Sequence, residues 1–321
     1  MGILASTAGL YATITPVPSQ FAPDELSNIS YGYYVISGDL PTIYDEQRGG
    51  PYTLQTHRST YTANHPPLFY VLEGPLLAGL NLVTEADSAI RLARWLSVGF
   101  AALTVAATVG LISEFVPGRP QVWVLGAFLV ALVPELALQT ANLYNDSLAL
   151  FLSTSALWAG ARIHRRGSTP QLLICLSACA TGAALSRASA LPLALLAVGT
   201  ALLGVFHSTS GSDRRRTSAR LLLVTGLPIL AIAGPFYLRN QRLYGDPTAS
   251  DALFEMLGRT AVPTDWLFQL DNWRLVFAAT LTTVRGSSYG ESRPALLALN
   301  AVIPLSGLVL CAAAYVPFRV L

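Results

Sequence analysis

The stretch ARIHRRGSTPQLLICLSACATGAALSRASALPLALLAVGTALLGVFHSTSGSDRRRTSAR (161–220) decides the fold. Arginines crowd both of its ends, and between them lie two apolar runs, 171–186 and 190–206, parted only by a tight turn around Arg187. Loops rich in Lys and Arg stay on the cytoplasmic side of a membrane, so an even number of crossings must separate two such loops. The two runs supply them. At about 1.5 Å of rise per residue, each covers most of a hydrocarbon core about 30 Å thick. ARIHRRG (161–167) and SDRRRTSAR (212–220) are therefore placed inside and Arg187 outside.

Composition agrees. Of 321 residues, 52% are hydrophobic and 12% charged, and the mean hydropathy of +0.49 is that of a polytopic membrane protein. A net charge of +2 is too small and too scattered to suggest nucleic acid. Cys175, Cys179 and Cys311 sit inside apolar runs without zinc or disulfide spacing, which points to packing. MGILAS matches a myristoylation signal in form, but it opens an apolar run and reads as the start of a membrane helix; no basic region marks a cleavable signal. Further apolar runs lie at 2–18, 67–83, 95–115, 122–141, 147–161, 221–238 and 295–316. The first is short for a span, so either it starts upstream or neighbours support it. The last ends at PFRVL, which predicts a chain that continues in a longer protein.

Counting from the basic loops puts LYNDS (143–147) and TEADSAIRLAR (84–94) outside. That leaves one run too many. The segment LFYVLEGPLLAGLNLV (68–83) is interrupted by Glu73, Gly74 and Pro75, and such a break is unfavourable at mid-membrane depth, so it is read as juxtamembrane or re-entrant. About eight helices then span. Residues 19–94 form a large first external loop and 239–293 a second external segment, within a single domain over 1–321.

This topology gathers Asp24, Glu25, His57, His65, Arg91, Arg94, Asn145, Asp146, Arg187, Arg239, Asn240, Arg242 and Asp246 at one surface. Carboxylates beside guanidiniums suit a reaction in which a base takes a hydroxyl proton while cations hold a phosphate. Each residue also has a plainer reading. Asp24 after Pro23 fits a helix N-cap, as do Asn145 and Asp146. HPPL (65–68) fits a proline-led helix start. Arg187, Arg239 and Arg242 fit interface anchors, and Tyr31, Tyr33, Tyr34, Tyr61 and Tyr70 fit an aromatic belt. No Gly-rich phosphate loop or metal-ligand spacing is present.

The order of the pieces adds to this. PDE in the first loop, NHPPLFY, ARWLSVGFAALTV, VALVPEL leading to LYNDSLALF, and RNQRLYGDP together resemble the GT-C superfamily of polyprenyl-phosphate-dependent glycosyltransferases, in its protein O-mannosyltransferase and aminoarabinose transferase branch. The similarity runs from about residue 20 to residue 247. It implies an all-α GT-C-like membrane module acting on the extracytoplasmic face of a bacterial plasma membrane. Asp24 is implied as general base with Glu25 beside it. His65 falls on the HPPL histidine, Arg94 on the arginine that holds phosphate or orients the acid, and Asp146 on the second acidic position. Arg187 falls on a basic residue facing the lipid phosphate, and Arg239 with Asn240 on an Arg-Asn element. Asn28 departs from the histidine or aromatic residue of many relatives, which puts the acceptor contacts in doubt.

The implied partners are a polyprenyl-phosphate sugar donor, an extracytoplasmic glycan, lipid or protein acceptor, and membrane lipids. A divalent metal (Mg²⁺ or Mn²⁺) at Asp24 and Asp146 and a metal-free mode resting on the arginines both stay open. Two rivals from other classes use the same residues: a transporter or flippase of an anionic lipid, and a non-catalytic scaffold subunit of an envelope-assembly complex.

Overall fold

The computed structural model describes residues 2–17, 24–48, 59–258 and 269. It is mostly helical, with no strand among the described residues. Twelve α-helices follow in order: α1 Gly2–Ile14, α2 Glu25–Ile36, α3 Leu68–Asn81, α4 Ala86–Phe115, α5 Pro120–Ala131, α6 Pro134–Thr140, α7 Asn145–Arg166, α8 Pro170–Ser186, α9 Leu191–Ser208, α10 Gly211–Pro228, α11 Gly234–Tyr244 and α12 Ser250–Met256. Three segments are long and apolar enough to cross a membrane: Ala86–Phe115, Ala188–Ser208 and Gly211–Tyr244. The last apolar run, 295–316, lies outside the described residues, as do His57 and most of the second external segment.

The central helix is α7, which packs against α4, α8 and α9. Its buried face carries Ala149, Ser153, Ala156, Gly160 and Ile163, a stripe of mostly small side chains at helical spacing that lets neighbouring backbones approach closely. The α9 helix answers with Ala194, Ala197, Ala201 and Gly204. At Gly160 the approach is so close that an added Cβ would collide with the Ala197 carbonyl oxygen. Leucines face the other way: Leu195, Leu196, Leu203, Leu223, Leu227 and Leu230 are all exposed, as expected where lipid is the solvent.

The bundle has two unlike ends. At one, the turn before α7 meets α2, since the Asn28 side-chain amide donates to the Leu143 carbonyl at 2.7 Å. The α8–α9 turn is at the same end, where Asn145 donates to the Ser186 carbonyl at 3.0 Å. At the other end α4 finishes against α7, with the buried Glu114 accepting from Arg162 at 3.0 Å and Arg166 at 3.1 Å. The Arg165 guanidinium caps the Glu114 carbonyl. Part of the basic loop read from ARIHRRG is therefore the last turn of α7, held by an acid from a neighbouring helix.

Several boundaries differ from the sequence reading. The run 122–141 is two helices, because Pro134 has no N–H to continue the first, and Leu132 and Val133 form a break. The run 147–161 extends over 145–166, and α4 starts at Ala86 within the expected external loop. The run 221–238 is the middle of a longer element in which α10, a π-helical turn Ile229–Ala233 and α11 follow without interruption.

Between α1 and α4 the first loop folds back on the polar end. Here α2 crosses α3 at Gly32 and Gly74, where a Cβ on residue 74 would stand 2.5 Å from the Gly32 carbonyl oxygen. The start of α3 follows His65, and its end is tied to α2 by Asn81 donating to the Tyr33 hydroxyl at 2.8 Å. Four residues then lead into α4. Glu73, fully buried in α3, has no hydrogen-bond partner for either oxygen. Burial, then the nearby Glu25, raises its pKa well above the usual carboxylate range, so it is held as the neutral acid.

One ion pair fastens this assembly. Arg94 of α4 and Glu25 of α2 are both fully buried. The guanidinium Nε donates to Glu25 Oε1 at 2.8 Å and Nη2 to Oε2 at 2.7 Å. The remaining donors reach the carbonyls of Ala12 at 3.2 Å, Thr15 at 2.9 Å and Pro16 at 3.1 Å at the end of α1. Glu25 Oε1 also accepts the Leu143 N–H at 3.2 Å. All five guanidinium donors are satisfied. Removing one partner of such a pair strands a buried charge: Arg94→Met is expected to lower stability by about 3–5 kcal/mol. The Glu25→Gln/Arg94→Met double variant is expected to lose less than the sum of the two single changes, measured by unfolding in detergent.

Candidate functional site

The polar end holds Asp24, Glu25, His65, Arg94, Asp146, Arg187, Arg239 and Asn240 of the residues singled out from the sequence. Glu25 and Arg94 form the buried clamp. Arg94 therefore orients an acid and has no N–H left for a phosphate, and Glu25 is sealed from any hydroxyl substrate. Their roles are positional: they fix the register of α1, α2, α4 and the turn before α7.

Asp24, one residue before Glu25, is directed differently. It stands at the N-cap position of α2 with helical dihedrals (φ −84°, ψ −11°) and makes no side-chain cap hydrogen bond. Its carboxylate accepts instead from the Tyr61 hydroxyl at 2.8 Å. Its N–H points to the Tyr144 hydroxyl at 3.4 Å. The half-buried carboxylate thus lies between the 3-10 turn Tyr61–Asn64 and the segment that leads into α7. The clamp supplies its rigidity, since the peptide that carries Asp24 is bonded to the residue held by Arg94.

Asp146 opens α7, and its carboxylate is paired with the guanidinium of Arg187, each side chain about a third exposed at 31%. Arg187 is extended (φ −160°, ψ 140°) between α8 and the 3-10 turn Ala188–Ala190. Its pair is wetter than the fully buried Glu25–Arg94 pair. His65 stands beside it. Enclosure, then the Arg187 charge, pushes the imidazole pKa down to about 3, so the ring is neutral at physiological pH.

Asn240 and Arg239 complete the end from α11. Asn240 is fully buried and donates to the Asn64 carbonyl at 3.3 Å, just before His65. Arg239 donates to the carbonyls of Leu40 and Pro41 at 2.9 and 2.8 Å. It ties α11 to the first loop. The tyrosines do not form a belt: Tyr31 and Tyr70 are fully buried and stacked at 3.9 Å. Their hydroxyls reach the His65 carbonyl at 3.1 Å and the Asn28 side chain at 3.0 Å. Buried tyrosine is stable where its hydroxyl finds such a partner. Sequence marks Tyr61 only as a belt aromatic and Tyr144 only as part of LYNDS; the fold alone brings both hydroxyls to residue 24.

An apolar groove of about 410 Å³ opens next to this end. Its wall is formed by Ile174, Ser177, Thr181 and Leu185 of α8, with Leu68 of α3 and Pro228 near the π-turn. From Ile174 to Leu185 it follows α8 for about 17 Å at about 1.5 Å per residue. Its lining includes Leu185, two residues before Arg187, and Leu68, three residues after His65.

Asp24 and Asp146 do not make a good seat for a divalent ion. Asp146 already carries a guanidinium, whose charge would repel the metal, and the described residues hold no group of three or more His, Cys, Asp and Glu side chains placed for one. No protein-family model matches the chain, and neither a curated protein nor a solved structure matches it.

The neutral His65 gives the end a pH signature. Between about pH 3 and 6.5 the unfolded chain binds a proton at this histidine that the folded chain excludes, so stability falls as pH drops through that window. His65→Asn is expected to flatten the acid limb of a plot of unfolding temperature against pH between those values.

Proposed function

We propose that the chain is a membrane glycosyltransferase that moves a sugar from a polyprenyl-phosphate donor to an acceptor hydroxyl on the extracytoplasmic side. The observation that carries this reading is the seat of Arg187, paired with Asp146 beside neutral His65, two residues along the chain from Leu185 in the lining of an apolar groove. A donor with an anionic head and a long apolar tail needs those two environments in that order. The GT-C resemblance of the motifs supports the same class.

In this mechanism the tail lies along α8 and the phosphate displaces Asp146 from Arg187. Asp24, oriented by Tyr61, accepts the proton of the acceptor hydroxyl as its oxygen attacks the anomeric carbon. The bond from that carbon to the phosphate oxygen breaks, the configuration inverts, and the negative charge that develops on the phosphate is met by Arg187. Neutral His65 offers a hydrogen bond without adding charge. Arg94 and Glu25 act at one remove, by fixing Asp24. The arginine supplies the charge stabilisation in this reading, and no step needs a metal.

Membranes containing the protein, given a panel of radiolabelled polyprenyl-phosphate sugars, are expected to transfer label to an acceptor. Asp24→Asn is expected to lower the rate by about 10²–10⁴-fold, the usual contribution of a general base, while Arg187→Gln weakens donor use. Label transfer from no donor would remove the proposal, and unchanged transfer by Asp24→Asn would remove this base. Lipid movement that persists in Asp24→Asn without sugar transfer would favour a flippase.

A further inference from the structure

The α10–α11 element runs unbroken from Gly211 to Tyr244, about 50 Å at about 1.5 Å per residue. A hydrocarbon core is about 30 Å thick. Roughly 20 Å of helix must therefore project beyond it. Asn240, packed on Asn64, fixes the α11 end at the polar end of the bundle, so much of the excess falls at the start of α10.

That start carries Arg214, Arg215, Arg216 and Arg220. Arg214 is engaged, donating to the Thr209 carbonyl at 3.0 Å and covering the Phe206 ring. Arg216 and Arg220 are exposed and make no hydrogen bond or ion pair with the described residues. They stand one turn apart, and the same helix face continues through Leu223, Leu227 and Leu230, which are 63%, 59% and 72% exposed. Residues at this spacing share one stripe. Two guanidiniums thus cap a row of outward leucines, matching the headgroup and acyl chain of a phospholipid along its length.

We infer that Arg216 and Arg220, with Leu223, Leu227 and Leu230 below them, form a docking stripe for an anionic phospholipid of the leaflet they face. Charge selects this occupant. The apolar run 295–316 has the hydropathy to cover the leucines, but it contains no Asp or Glu and offers the arginines no counter-charge. A zwitterionic lipid satisfies the leucines and leaves the same deficit. Basic side chains next to a membrane helix bind anionic headgroups in just this setting.

The test uses the full chain, purified in detergent, delipidated and exposed to dioleoyl-phosphatidylglycerol or dioleoyl-phosphatidylcholine, with bound lipid counted by native mass spectrometry. The wild type is expected to retain the glycerol lipid roughly tenfold over the choline lipid, and Arg216→Gln/Arg220→Gln to bring the two near parity. Arg242→Gln, an exposed arginine at the other end of the same element, is expected to leave the preference intact. Unfolding temperature in the choline lipid confirms that the variants are folded. Equal retention of the two lipids by the wild type, retention of neither, or an undiminished preference in the double variant would overturn the inference.

Discussion

The buried pair between Glu25 and Arg94 is the constraint from which the polar end of the bundle is built. A guanidinium without water must place five donors, and here two go to a carboxylate and the others to three carbonyls at the end of α1. Burying both charges is unfavourable by itself; it is tolerated because the geometry leaves no donor unpaired. The result is a junction of α1, α2, α4 and the α7 approach that can exist in only one register. Asp24 inherits that register through one peptide bond. A flexible loop residue is thereby converted into a positioned one.

The same end shows how two ion pairs of like composition do different work. The dry pair has no solvent to exchange with and serves as a fastener. The pair of Asp146 and Arg187, each side chain about a third exposed, keeps contact with solvent. Neutral His65 sits beside the second pair and Glu73, also neutral, near the first. Burial removes charge from the groups that lack a partner and keeps it on those that have one.

Local pattern made much of the helical frame legible. The paired basic stretches and the apolar runs between them reflect interactions within a few residues along the chain, which sequence displays directly. The interruption expected at Glu73–Pro75 is absent, because α3 runs unbroken from Leu68 to Asn81 with Pro75 inside it. The separation of Asp24 from Glu25 was not legible, because the N-cap Asp24 and the first α2 residue Glu25 point in different directions and their partners lie far away, Tyr61 for one and Arg94 for the other. Arg239 illustrates the same limit: its carbonyl partners at Leu40 and Pro41 lie on a loop nearly two hundred residues earlier. Helix breaks at Pro134 were foreshadowed by proline, whereas the extension of α4 and α7 into the loops depended on ion pairs and packing that only the folded bundle provides.

The π-helical turn Ile229–Ala233 sits between the lipid-facing leucines of α10 and the inward Asn240 of α11. A wider turn accommodates an additional residue without ending the helix, which rephases everything that follows it by about a quarter turn or more. The stretch thus acts as a gear offset: one continuous rod presents leucines outward on its first half and the buried Asn240 toward the bundle on its second. Loss of a single residue from it would keep the rod and its length nearly unchanged, yet would rotate the Arg-Asn pair away from the first loop.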